Sequence, residues 1–165
     1  RKDKAGGGAL IDNGVHLIDQ QWFLMGCPTP VEAMGQTYTK FGPDLMGKDF
    51  DVDDFATGCV RFDNGASLIF DNAWSSLVNE EVHFVRILGT KMGATAVPFN
   101  VVRWNGSDCE DATPDDVETE NPIEHFVRCI REDSEPIITP EHGLTMLKIL
   151  AALYRSAESG KSESV

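Results

Sequence analysis

Asp54-Phe55-Ala56-Thr57-Gly58-Cys59-Val60-Arg61-Phe62-Asp63-Asn64-Gly65-Ala66-Ser67-Leu68-Ile69-Phe70-Asp71-Asn72-Ala73-Trp74 reads as two strands, 54–62 and 66–74, folded back on each other. Asn-Gly supplies the positive backbone angles that a tight hairpin turn requires, and the flanking β-branched and aromatic residues suit a pleated surface. Further strands are expected at Val31–Phe41, Glu81–Leu88 and Ala94–Trp104, the last two joined across Gly89-Thr90-Lys91-Met92-Gly93, where the glycines permit a sharp reversal. Short connections of this kind join antiparallel neighbours, so the strands predict an antiparallel sheet.

Helices flank the strands. Ile11, Val15, Ile18, Trp22 and Met25 recur every three or four residues, the repeat of one helix face, and Gly26 and Pro28 stop that helix. Asn121-Pro122 opens a second helix, through Arg131, with Ile123, Phe126, Val127 and Ile130 on one face. Thr139-Pro140-Glu141-His142 opens a third, whose buried side is expected to be Leu144, Leu147, Ile149, Leu150, Leu153 and Tyr154. Between strands and helices, Ser107–Glu120 is acidic and aperiodic, hence a solvated loop, and Ser159–Val165 is expected to fray. The order predicts an α+β fold, an antiparallel sheet with helices on one face, and leaves the other face to water or a partner.

Composition narrows the function classes. The chain has 165 residues, 41% of them hydrophobic, enough for one ordinary core, so residues 1–165 are expected to form a single domain. A formal net charge of −13, from 14 Lys plus Arg against 27 Asp plus Glu, repels phosphate backbones and anionic headgroups. Nucleic-acid and membrane partners are therefore not expected, and no apolar run approaches the roughly 18 residues of a membrane span. Cys27, Cys59, Cys109 and Cys129 form no CxxC pair. They are read as reduced cytoplasmic thiols without a zinc site. The opening at Arg1 suggests a piece of a longer product.

The segment Gly6-Gly7-Gly8-Ala9-Leu10-Ile11-Asp12-Asn13-Gly14-Val15-His16-Leu17-Ile18-Asp19 carries the chemistry. On a helix Asp12, His16 and Asp19 fall at i, i+4 and i+7, a polar stripe beside the apolar one. A carboxylate one turn from an imidazole can hold it in one tautomer and raise its basicity, as a general base near neutral pH requires. Spacing alone also permits a solvated face with an incidental histidine, or a metal site. Three ligands down one helix rarely surround an ion without another element, so no metal is expected. The glycine triplet allows close backbone approach or a flexible linker. His83, His125 and His142 read as surface or packing residues, and Trp74 and Trp104 as strand-end aromatics able to pack or to stack on a sugar. Asp108, Glu110, Asp111, Asp115, Asp116, Glu118 and Glu120 lack calcium-loop spacing and read as a solvated charge run.

The ordered set of Gly-Gly-Gly, Asp12, Gly14, His16, Asp19, Trp22, Gly26, Pro30 and Val31 resembles the Gfo/Idh/MocA dehydrogenases. The likeness continues through Asp53-Asp54-Phe55-Ala56, Arg61-Phe62-Asp63-Asn64-Gly65-Ala66, Leu88-Gly89-Thr90-Lys91, Phe126-Val127-Arg128-Cys129-Ile130-Arg131 and Tyr154-Arg155-Ser156-Ala157-Glu158-Ser159-Gly160-Lys161, nearly the whole chain. The resemblance implies the C-terminal substrate-binding and oligomerisation domain of such an enzyme, with an open-faced sheet of the kind found in the C-terminal domains of dihydrodipicolinate reductase and glyceraldehyde-phosphate dehydrogenase. It implies that His16 is the general acid/base and Asp12 the carboxylate beside it. The substrate would be a sugar, polyol or related hydroxy compound, and the assembly a homo-oligomer through the open sheet face. NAD or NADP would be bound mainly by an N-terminal Rossmann domain absent from this chain. No GxGxxG follows a strand here, so no cofactor-binding residue is assigned, and the fragment alone is expected to be inactive. Two other readings are a non-catalytic ligand-binding or assembly module, and a redox-neutral glycosidase that uses NAD transiently.

Overall fold

In the computed structural model, which describes residues 1–79, 82–117 and 119–165, the hairpin forms, with the positive backbone angle at Gly65 and not at Asn64. Strands β2 (Phe55–Phe62) and β3 (Ser67–Ala73) pair antiparallel, and Gly65 takes φ +84 at the turn. Strand β1 (Pro30–Tyr38) pairs antiparallel with β2, and β8 (Glu163–Ser164) with β1, giving a sheet of order β3-β2-β1-β8. A second four-stranded antiparallel sheet joins β4 (Arg86–Leu88), β5 (Met92–Thr95), β6 (Asn100–Trp104) and β7 (Cys109–Asp111) in sequence order. The helices are α1 (Lys2–Ala5), α2 (Val15–Leu24), α3 (Gly42–Met46), α4 (Pro122–Glu132) and α5 (Pro140–Ser159), with a π-helical turn at Leu10–Gly14 before α2. The α+β class holds, with the strands divided between two sheets.

Two compact units result, one of Arg1–His83 with Thr145–Val165 and one of Phe84–Leu144. In the first, the strand period of two sends Ala33, Ala56, Val60, Phe62, Leu68 and Phe70 to one face, where they pack with Leu10, Ile18, Trp22, Ile149 and Leu153. Gly35 and Gly58 let α5 approach the sheet: a Cβ at either would stand 3.1 Å from Leu153 Cδ2. The opposite face of that sheet carries Met34, Cys59 and Ile69 in register, with Ile69 73% exposed.

Several expectations are corrected. The strand predicted from 94 to 104 is broken at 96–99, because Pro98 has no N–H for a ladder. Of the strand predicted at Glu81–Leu88, Arg86–Leu88 forms β4, with Val85 O just before it accepting from Ala96 N; Glu81 lies outside the described residues. The acidic segment contains β7, whose Glu110 meets Arg103 of β6 at 2.7 Å; Glu118 of that run lies outside the described residues. The tail does not fray. Val165 N donates to Val31 O, and Arg155 Nη2 donates to Ser164 O. In α5 the buried side is Met146, Ile149, Leu150, Ala152, Leu153 and Ser156, while Leu144 and Leu147 are exposed. The short helix α3 was not anticipated.

In the second unit Asn121 caps α4 as predicted, its Oδ1 accepting from Ile123 N at 2.9 Å. The helix is held through its other side. His125 Nε2 accepts from Ile137 N at 3.1 Å, which puts the proton on Nδ1, facing Glu120 at 2.9 Å. Arg128 first, and His125 next, hold the Glu120 carboxyl down at about 2. Ile123, Phe126, Val127 and Ile130 share an exposed face. No helix among the described residues is long and apolar enough to cross a membrane.

Candidate functional site

The helix bearing Asp12 and His16 begins on a carboxylate. Gly8 N donates to Asp53 Oδ1 and Leu10 N to Asp53 Oδ2, each at 2.8 Å, and Ala9 N donates to the Asp53 carbonyl. A carboxylate placed there satisfies unpaired N–H groups and complements the positive end of the helix dipole. Tyr154 of α5 donates from its hydroxyl to Asp53 Oδ1 at 2.9 Å. Burial, then the Asp53 charge, push the Tyr154 phenol far above its ordinary range, so it serves as a fixed donor. Two of the three glycines, Gly7 and Gly8, are explained by this packing, while Gly6 stands in open space at φ +81. A Cβ on Gly8 would stand 1.9 Å from Asp53 O, and one on Gly7 2.2 Å from Tyr154 Oη. Close approach, not linker flexibility, is what these positions need.

The expected regular helix begins instead as a π turn. Asp12 lies in that turn and His16 near the start of α2, both exposed to solvent. Asp12 and His16 share no hydrogen bond among the described residues; Asp12 Oδ2 accepts from Trp74 Nε1 at 3.0 Å. Asp19 is half-buried, and after burial its charge is the second cause that raises the Cys27 thiol. The predicted stripe therefore splits, with Asp12 and His16 toward solvent and Asp19 toward Cys27.

Strand β3 and the residues after it read onto this helix at two points. Asn72 and Trp74, two apart and so on one side of the chain, reach Ala9 O at 2.7 Å and Asp12 Oδ2 respectively. Trp74 is itself fixed, its N donating to Asp54 O at 2.9 Å and its ring meeting Phe50 edge-on at 6.2 Å. Asp54 is buried, and its Oδ2 accepts from the N–H groups of Lys40, Phe41 and Gly42 at 2.6 to 2.7 Å. Sequence reading gave Asp53, Asp54, Asn72 and Tyr154 no role at this helix, although Asp53, Asp54 and Tyr154 stood in the motifs it quoted; an acidic pair entering a strand was the available signal.

Among the described residues no group of three or more His, Cys, Asp or Glu side chains could hold a metal ion. The glycine triplet does not fit a dinucleotide phosphate, because Asp53 already takes the N–H groups of Gly8 and Leu10.

The family described as "Oxidoreductase family, C-terminal alpha/beta domain" of the Gfo/Idh/MocA group matches residues 1–165. The chain is 26% identical to D-glucoside 3-dehydrogenase of Escherichia coli, over 96% of this chain and 49% of that protein. It is 26% identical to D-xylose 1-dehydrogenase (NADP(+)) 2 of Haloferax volcanii, over 93% and 47%. The chain thus spans about half the length of these curated relatives. Its fold is shared with an NAD binding oxidoreductase from Klebsiella pneumoniae (TM-score 0.82, 21% identity, 100% of this chain and 52% of that one). It is shared equally with aldose-aldose oxidoreductase from Caulobacter crescentus complexed with glycerol (TM-score 0.79, 23% identity, 100% and 50%). With a glycine-gripped helix presenting Asp12 and His16, and a family match from end to end, the chain belongs to the Gfo/Idh/MocA oxidoreductases as their C-terminal domain.

Proposed function

We propose that residues 1–165 are the substrate-binding and oligomerisation domain of an NAD- or NADP-dependent dehydrogenase acting on a hydroxyl of a sugar, polyol or related hydroxy compound. The observation that carries the reading is the exposed pair Asp12 and His16 on a helix whose start is locked by Asp53. The His16 imidazole takes the hydroxyl proton as the carbon gives up its hydride. Asp12 accepts a hydrogen bond from the substrate and stabilises the imidazolium. The nicotinamide that takes the hydride is held mainly by residues outside this chain, in keeping with the occupied N–H groups at Gly8 and Leu10. The test is cofactor reduction by the full-length protein on a panel of aldoses, methyl glucosides and cyclic polyols. His16→Ala should lower kcat at least a hundredfold; a variant with the wild-type rate overturns the reading.

The open face of the first sheet is proposed as the contact between copies of this chain. Met34, Cys59 and Ile69 make an apolar row across three strands, and the Tyr38 and Phe55 rings pair at 5.6 Å on the same face. Burying such a row against a second copy removes apolar area from water at roughly 25 cal/mol per Å². Ile69→Glu should shrink the particle measured by light scattering, and an unchanged mass would rule this contact out. A cytoplasmic setting, in which the thiols of Cys27, Cys59, Cys109 and Cys129 would stay reduced, is part of the same proposal.

A further inference from the structure

Asp12 is an exposed carboxylate in a wide π turn, and an exposed side chain of that kind samples several rotamers unless something holds it. What holds it comes from a residue 62 positions away, the indole N–H of Trp74, at 3.0 Å from Oδ2. The indole cannot easily follow a moving carboxylate. Its backbone N is tied to Asp54 O, its ring meets Phe50, and Asn72, two residues earlier, is bonded to Ala9 O at the root of the same turn. Strand β3 thereby sets both where the turn begins and where its carboxylate points.

We propose that Trp74 is a positioning residue for the reaction: its indole N–H fixes one oxygen of Asp12, so that the other is aimed at the substrate and at the imidazolium formed on His16. This rests on the assignment of Asp12 and His16 as the reacting pair. A carboxylate held through a single oxygen presents the second in a defined direction, and a charge-assisted hydrogen bond is strong enough to hold it there. Tryptophan has only this one polar hydrogen, so phenylalanine keeps the ring and removes the contact.

The experiment is a double-mutant cycle in the full-length enzyme, with W74F, D12A and the double variant assayed for cofactor reduction on the best substrate of the sugar and polyol panel. Trp74→Phe should lower kcat about tenfold with KM changed less than about threefold, and Trp74→His, which restores a ring N–H, should recover part of the rate. In the D12A background, which has no acceptor for the indole, the same change should cost less than about threefold. An equal loss in both backgrounds would mean that Trp74 does not act through Asp12 and would overturn the proposal. The two readings fail separately, because His16→Ala and D12A with wild-type rates would remove the assignment of the pair itself.

Discussion

The two sheets are both four-stranded and antiparallel, yet one organises a core and the other does not. In the first, β1, β2 and β3 run for nine, eight and seven residues and their alternation sends a full face inward. In the second, strands of three to five residues leave Val85, and Cys129 of α4, as the buried hydrophobics among the described residues of that unit. That unit carries exposed ion pairs instead, Arg103 with Glu110 and Arg128 with Glu120 and Glu132. Exposed pairs of this kind contribute little. The proposed pair, Asp12 and His16, sits in the unit with the packed core, where a catalytic geometry can be held, and Phe84–Leu144, with fewer buried apolar residues, is expected to be the less stable unit.

The contrast can be broken at either end. Gly8→Val should cost about 3 kcal/mol or more, because its side chain would overlap the Asp53 backbone and cannot be absorbed by a rotamer change. Denaturant titration of the full-length protein, followed by tryptophan fluorescence, reads this directly, and a midpoint like the wild type's would mean that the grip on the helix start is absent. Phe126→Ser, on a residue 59% exposed, should change stability by less than about 0.5 kcal/mol. A loss above about 2 kcal/mol would show that this face is covered in solution and that the second unit is better packed than its own residues indicate.

Local rules made much of the fold legible. The Asp63-Asn64-Gly65 turn, the Asn121 cap and the stop at Gly26 each depend on a few neighbouring residues, and each forms where it was read. What could not be read depends on partners far along the chain. Asp53 grips Gly8 across 45 residues, and Tyr154 reaches Asp53 across 101. The π turn was hidden because the spacing of Ile11, Val15 and Ile18 suits an ordinary helix just as well. Leu144 and Leu147 fit the apolar repeat of α5, but periodicity does not say where a neighbour ends. Asp12 and His16 were singled out through a motif; the contacts of Trp74 with Asp12, of Asn72 with Ala9 and of Asp53 with Gly8 and Leu10 became visible only when strand and helix met in three dimensions.

The serine on α5 has a consequence for how the first sheet avoids growing. Ser156 Oγ accepts from Gly35 N of β1 at 3.0 Å and donates to Lys161 O at 2.6 Å, while β8 pairs with Glu32 and Ala33 just beside it. An unpaired strand border is a template for another chain. Here a helix side chain and a two-residue strand occupy that border together, so the hydroxyl acts as a guard against edge-to-edge aggregation. Loss of the last turn of α5 would uncover the strand and its template at once.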